Sequence, residues 1–339
     1  EVESASAVQT VASATMVEIT RSSLHSATLT ASQRGQVCHV LLSSPPHRPR
    51  MTTYAEARTA CHLPPLEVQF NSIVAGLLFA EQRLDGSIVD AGAREGHNAC
   101  FYAVIAPTRT VHAIEPIRAN YRIINKLYSG RSNLRPLLAG LGSAHGAIDL
   151  VGGRPGAMLD KKKMETLRAS PATSKNPIPV YTIDELFHAV GGAAAPGFDA
   201  SEKLGFFHLD VEGLELDVLQ GARRVLERDR PVLSTEAHVS ETAFLESVHR
   251  FLAPWYATYM VDEVCGARWD CRNFLHLPRS RLEQYRGSPT LDLALASGAL
   301  IAGNASDFVA HARAHRKTVS RRRDLHFAGE VGARFLEAS

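Results

Sequence analysis

Hydrophobic residues recur with two different periodicities along this chain. Between residues 68 and 84 they recur at helical spacing, which predicts a lead-in helix. From residue 87 onward, short apolar runs at 87–90, 110–115, 134–139, 205–210 and 231–236 predict strands. Helical patterns follow them, beginning near 96 and spanning 118–128, 214–227 and 241–251. Strands that alternate with helices indicate βαβ units, so we predict an α/β fold with a mostly parallel sheet.

The remaining stretches divide the chain into four parts. Residues 1–50 are rich in Ser, Thr and Ala and are expected to be weakly ordered, with one strand at 37–42. A lead-in helical segment at 51–86 precedes the α/β domain at 87–278. Runs at 256–261 and 272–277 are expected to close the sheet as an antiparallel pair. The alternation lapses over 140–204, apart from a short strand that leads into a helix at 180–186, and a basic helical extension occupies 279–339.

Composition and charge exclude little. The formal net charge of +2 gives no general electrostatic reason to expect nucleic acid, and no stretch approaches the ~20 apolar residues of a membrane span. The five cysteines form no C-x-x-C pair, so we expect reduced thiols, with only Cys265 and Cys271 close enough in sequence for a local bridge. The chain begins at Glu1, so membrane association, compartment and oligomeric state stay open.

A glycine turn follows the first strand, in the segment V-D-A-G-A-R-E-G. Gly92 lets the backbone turn closely past a ligand, and Gly96 opens a helix whose free N–H groups favour an anionic group. A dinucleotide site would need a third glycine, and Asp90 would repel a pyrophosphate. The carboxylate instead suits the cationic methionine end of S-adenosylmethionine. An ordinary strand-turn-helix corner is the alternative.

The second strand adds a carboxylate at the expected distance. Glu115 follows Gly92 by 115 − 92 = 23 residues and is followed by Pro116. An acid about 20 residues after the glycine turn can accept both ribose hydroxyls of a bound nucleoside. A solvent-facing strand end is the other interpretation of Glu115. Together the two features predict a nucleoside-binding half-domain.

A second acidic constellation lies in F-F-H-L-D-V-E-G-L-E-L-D-V-L-Q-G-A, residues 206–222. A buried strand delivers Asp210 and Glu212 to a glycine turn that opens a helix. Ligands of open α/β sheets bind beyond the carboxyl ends of the strands, so Asp210 is expected in the same crevice as Asp90 and Glu115. Glu215 and Asp217 are interpreted as acids that complement the helix N-terminus.

The ordered motifs, with T-I-D-E-L and S-T-E-A-H added, resemble the FkbM family of methyltransferases over about Ile88 to Leu277. The resemblance implies a Rossmann-like class I methyltransferase fold: a seven-stranded, mostly parallel sheet with helices on both faces and an antiparallel last strand. It implies S-adenosylmethionine as donor and, usually, O-methylation of a sugar, polyketide or related hydroxyl. The cofactor-binding residues expected from it are Asp90, Gly92, Arg94, Gly96, Glu115 and Pro116. The family motif more often reads D-x-G-A-N-x-G, so Arg94 replaces a small amide.

For the reaction, our hypothesis is that Asp210 takes or orients the proton of an acceptor hydroxyl. Glu212, Glu236 and His238 are the candidates to assist, and Asp184 is placed near the acceptor by family analogy. No metal is assigned, because no recognised ligand spacing is present. Small molecules or glycans are the expected acceptors. A non-catalytic scaffold, favoured by Arg94, and a nicotinamide-dependent oxidoreductase, weakened by the missing glycine, are the alternatives.

Overall fold

A computed structural model describes residues 54–64, 67–80, 85–150, 175–188, 197–199, 201–265 and 268–315. The predicted N-terminal segment with its strand at 37–42 lies outside the described residues. Within these ranges, no helix combines the length and the apolar character needed to cross a bilayer.

Eight strands form the central sheet and three short ones a small second sheet. The large sheet has the order β11-β9-β10-β8-β7-β1-β2-β3, and the small one β4-β6-β5. In chain order the strands are β1 (Ser87–Ala91), β2 (Val111–Ile114), β3 (Leu134–Leu137), β4 (Gly140–Leu141), β5 (Gly146–Ile148), β6 (Ile178–Tyr181), β7 (Leu204–Leu209), β8 (Val232–His238), β9 (Tyr256–Val264), β10 (Cys271–Pro278) and β11 (Leu300–Ala302).

The helices cover both faces of the large sheet. They are α1 (Tyr54–Ala60), α2 (Val68–Val74) with a π-helical continuation (Ala75–Ala80), α3 (His97–Ile105), α4 (Arg118–Tyr128), α5 (Ile183–Phe187), α6 (Glu215–Gln220), α7 (Arg223–Asp229), α8 (Thr242–Leu252), α9 (Leu282–Tyr285) after a 3-10 turn (Arg279–Arg281), α10 (Pro289–Ala296) and α11 (305–315). Alternate strand residues enter different cores: Ile88 and Phe206 belong to one cluster, Val89 and Phe207 to the other.

The expected parallel arrangement is confirmed, but the strand count is wrong. β3, β2, β1, β7 and β8 pair in parallel, and β10 runs antiparallel to both β8 and β9, as predicted. The eighth strand, β11, pairs antiparallel with β9 and lies in the extension that we expected to be helical. The three residues of β11 are too few to carry a recognisable alternation.

The single helix expected at 214–227 is two helices, α6 and α7, that meet at Gly221. A Cβ at Gly221 would lie 2.0 Å from the carbonyl oxygen of Gly142, so the break lets the loop after β4 pass closely. Asp184 then caps α7: its two carboxylate oxygens accept the N–H groups of Arg224 and Val225 at 3.0 and 2.9 Å. The structure thus gives Asp184 a capping role in place of the acceptor role that analogy suggested.

The expectation of reduced cysteines is also wrong. Disulfides join Cys61 to Cys100 and Cys265 to Cys271, while Cys38 lies outside the described residues. The first bridge spans 39 residues and fastens the segment after α1 to helix α3. Sequence spacing can suggest only the local bridge, because the other depends on how the lead-in segment packs on the domain.

Gly92, directly after β1, leaves almost no room for a side chain. Its φ is 80°, and a Cβ there would lie 1.9 Å from the carbonyl oxygen of Asp210. The Asp210 N–H donates to the carbonyl of Ala91 at 3.0 Å, so the chain ends of β1 and β7 stay in contact beyond the strands. Glycine is therefore required at this turn by protein packing as well as by any ligand.

We expect Gly92→Ala to lower the free energy of unfolding by about 2–4 kcal/mol, because it combines a left-handed backbone with overpacking. Denaturant unfolding measures the loss. Gly130→Ala is the matched control, since a Cβ at Gly130 would meet nothing within 4 Å. Equal effects of the two substitutions would contradict the packing argument.

Candidate cofactor and acceptor site

An open groove lies at the carboxyl ends of β1, β2 and β7, with about 680 Å³ of space when its solvent-open part is included. The groove is lined by backbone and side chains of Gly92, Arg94, Ile114, Glu115, Pro116, Ile117, Ala139, Gly140, Leu141, Asp210, Val211, Glu212 and Leu214. The structure thereby brings together six of the predicted residues: Gly92, Arg94, Glu115, Pro116, Asp210 and Glu212.

The turn after β1 explains why a small amide is common where this chain has Arg94. Arg94 has φ 51°, a left-handed conformation in which Asn is several-fold enriched among non-glycine residues. The arginine adopts it nonetheless, and its backbone N–H donates to Glu115 Oε2 at 2.7 Å. Gly96, also left-handed at φ 82°, precedes α3 as its N-cap. Arginine at this position therefore still allows the left-handed turn and its hydrogen bond to Glu115.

Glu115, the residue directly after β2, lines the groove and is buried. Its Oε1 accepts the N–H of Ile117 at 2.8 Å and an amide hydrogen of Asn120 at 3.4 Å. Burial raises the pKa of Glu115 to about 7, although these hydrogen bonds act in the opposite direction. A carboxylate has about four lone-pair positions, so the three contacts with Arg94, Ile117 and Asn120 orient the group and leave about one position for a ligand hydroxyl.

Asp90 lies beneath the groove and is not part of its lining. It is 1% exposed, and its Oδ1 is 2.7 Å from Nδ1 of His208 on the adjacent strand β7. Burial lowers the pKa of His208, but the hydrogen bond and charge of Asp90 outweigh this, so the pKa lies above its ordinary value. The other oxygen, Oδ2, has no hydrogen-bond partner within the described part of the chain.

His208 is a site residue that sequence reasoning missed, since His238 alone was singled out among the histidines. A polar residue inside an otherwise apolar strand was the available signal. In the sheet, Asp90 and His208 are register partners on parallel strands, which could not be inferred without the strand order.

The segment after β7 shapes the floor of the groove. Glu212 has φ 54° and Gly213 φ 90°, so two consecutive residues are left-handed. Oε1 of buried Glu215 accepts the N–H groups of Val211 and Gly213, both at 3.2 Å, which holds this turn. Glu215 thus complements backbone N–H groups, as expected. Burial raises the pKa of Asp210 to about 7; His208 lowers it, and Glu212, Glu67 and Asp90 raise it further.

The two remaining candidates on β8 differ in their surroundings. Burial raises the pKa of Glu236 to about 10, with further increases from Asp210 and Glu67, so this carboxyl carries its proton at neutral pH. It is therefore better suited to donate a hydrogen bond than to act as a base. His238 lies 3.6 Å from Asp270 through Nδ1, away from the groove lining.

Potential metal ligands cluster at one place in the described ranges. Glu236, Cys265 and Cys271 offer ligand atoms within 4.8 Å of one another. Because the two sulfurs form a disulfide, this trio does not present free thiolates.

The length of chain that matches a family model shows which family the chain belongs to. Residues 90–266, more than half of the chain, match the model of the methyltransferase FkbM domain. The chain belongs to the FkbM family of methyltransferases. No curated protein matches it. The Rossmann-like class I methyltransferase fold expected from the sequence is confirmed, with eight strands in place of seven.

Two solved structures are among those to which the chain is similar. It shares 18% identity with an FkbM methyltransferase from Methylobacillus flagellatus, at a TM-score of 0.39, over 71% of this chain and 57% of that one. It shares 14% identity with Aeropyrum pernix fibrillarin in complex with S-adenosyl-L-methionine, at a TM-score of 0.32, over 60% of this chain and 73% of that one. The chain thus spans just over half the length of the first relative.

S-adenosylmethionine is the cofactor of this family, and the groove residues fit it. Glu115 would hold the ribose, the apolar side chains of Ile114 and Leu141 would flank the adenine, and the turn at Gly92 would bound the methionine end. The buried, unpartnered Oδ2 of Asp90 is an acceptor directed at no protein donor in the described ranges, as expected beneath a cationic ligand.

The raised pKa of Glu236 predicts how stability depends on pH. A group whose folded pKa lies above its unfolded value near 4.5 stabilises the fold at low pH, and that contribution is lost as pH rises toward about 10. We expect Glu236→Gln to remove up to about 1.4 kcal/mol of this decline per pH unit. Unfolding free energies measured from pH 5 to 9 test it. Glu241→Gln, at a half-exposed surface position, is the control, and parallel profiles for Glu236→Gln and wild type would refute the assignment.

Proposed function

We propose that this methyltransferase transfers the methyl group of S-adenosylmethionine to a hydroxyl oxygen of a small molecule or glycan. The observation that carries the proposal is Asp210. It lines the cofactor groove beside the glycine turn, and its pKa of about 7 suits a group that accepts a proton near neutral pH.

The chemistry requires alignment and one proton acceptor. The donor supplies a methyl group on a sulfonium centre, and the acceptor oxygen forms its new bond to carbon as the carbon–sulfur bond breaks. Asp210 takes the hydroxyl proton. Glu236, protonated at neutral pH, is able to donate a hydrogen bond, and the left-handed turn at Glu212 and Gly213 shapes the groove beside Asp210.

The scaffold alternative loses its main support. It rested on Arg94, yet the backbone of Arg94 makes the turn and binds Glu115. Arginine in place of the small amide strains the backbone of the turn, but the turn still forms.

A calorimetric titration with S-adenosylhomocysteine, and separately with NAD, tests cofactor use. We expect S-adenosylhomocysteine to bind, because Glu115 and the single glycine turn suit a nucleoside with a cationic or neutral tail. Binding of NAD alone would establish a nicotinamide site, and binding of neither would support the scaffold.

Asp210→Asn tests the base. We expect kcat to fall by about 10²–10⁴-fold, and its rise through about pH 7 to disappear, while affinity for S-adenosylhomocysteine changes little. The assay uses an acceptor found by screening sugars, glycolipids and polyketides with labelled methyl donor. Asp217→Asn is the matched control in the same motif, since Asp217 accepts a hydrogen bond from Ser143. Unchanged turnover in Asp210→Asn would remove Asp210 from the mechanism.

A further inference from the structure

Two residues outside the family match lie near the acidic side chain of Glu236, and neither is part of the groove lining. Glu67 precedes helix α2 and Asn273 lies on β10, whereas the family match spans residues 90–266. Asn273 Nδ2 donates to Glu67 Oε1 at 3.0 Å, across 206 residues of sequence. The lead-in segment is thereby tied to the sheet beside the catalytic crevice.

The N-terminal end of α2 is held firmly in this position. Glu263 Oε2 accepts the N–H groups of Gln69 and Phe70 at 2.8 and 3.0 Å. The Phe70 ring lies 5.6 Å from the ring of His208, the partner of Asp90. Helix α2 therefore packs directly on the layer beneath the cofactor groove.

The side-chain amide oxygen of Asn273 lacks a hydrogen-bond donor among the described residues. Asn273 is 2% exposed, so this oxygen, its Oδ1, is buried. Asn273 is the register partner of Glu236 on β8, so both side chains point to the same face of the sheet. A buried carbonyl oxygen without a donor is unfavourable, and a ligand that brings a donor would relieve it.

Glu67 shows a second sign of functional constraint. Its φ of 59° and ψ of 31° place a non-glycine residue in the left-handed region. Such outliers persist where the surrounding structure enforces them and they cluster at ligand sites. Negative charges dominate its surroundings, since Glu67 acts electrostatically on both Asp210 and Glu236.

We propose that Glu67 and Asn273 extend the acceptor subsite beyond the groove lining, and that this subsite takes a hydroxylated acceptor that is neutral or positively charged. Hydroxyl or ammonium donors of the acceptor bind the Glu67 carboxylate and Asn273 Oδ1. A negatively charged acceptor is excluded, because it would approach Glu67 and the acids behind it. The inference rests on the proposed methyl transfer.

The test is labelled methyl transfer to matched triplets of glycosides and simple alcohols, each present in neutral, amino and carboxylate form. We expect labelled products from neutral or amino members and none, or at least tenfold less, from the carboxylates. Preferred methylation of the carboxylate members would overturn the proposal. Absence of any product, in protein that binds S-adenosylhomocysteine, would also overturn it while leaving the cofactor site intact.

Glu67→Gln separates an acceptor role from a structural one. The substitution removes the charge but keeps an oxygen for Asn273, so we expect unchanged unfolding temperature and unchanged S-adenosylhomocysteine affinity. The ratio of kcat/KM between amino and carboxylate members should fall about tenfold, through KM more than kcat. Glu241→Gln, at the surface beside Arg268, should leave the ratio unchanged. An equal loss for all three members in Glu67→Gln would assign Glu67 a structural role and reject the subsite.

Discussion

The close approach of Gly92 to the carbonyl oxygen of Asp210 sets the geometry of this protein. It joins the two motifs that carry the chemistry, the turn after β1 and the acidic turn after β7, although 118 residues separate Asp90 from its partner His208. Because β1 and β7 pair in parallel, both motifs emerge at the same edge of the sheet. The groove between them follows from that contact, and any side chain at Gly92 would push the two turns apart.

The second constraint is the number of carboxyl groups placed at this edge. Burial raises the pKa of Glu115, Asp210, Glu215, Glu236 and Glu263, so the fold is least favoured where all of them would be ionised. The backbone N–H groups bound by Glu115, Glu215 and Glu263 show how part of this cost is offset. Burial and four neighbouring acids all raise the pKa of Glu236, which marks it as the residue least compatible with a negative charge.

The sequence patterns predicted those features of the fold and the site that depend on residues close together in sequence. The parallel strands and helix α4 were found from periodicity, and Glu115 from its distance to Gly92, because each depends on residues close in sequence. Periodicity missed β11, which is too short, and the break at Gly221, which depends on a distant loop. The Cys61–Cys100 bridge and the Glu67–Asn273 contact span 39 and 206 residues, so their signals exist only once the chain is folded. His208 was overlooked for the same reason.

The two central acids differ in a way that suits transfer to a hydroxyl. Such a reaction moves one proton from the acceptor, so one base is required, and a second ionised carboxylate beside it would only repel the first. The pKa of Asp210 lies near 7 and that of Glu236 near 10, which lets Asp210 accept the proton while Glu236 keeps its own. The split arises from position: Asp210 has His208 nearby to lower its pKa, whereas Glu236 faces only acids. His208 thus favours Asp210 over Glu236 as the base of the proposed transfer.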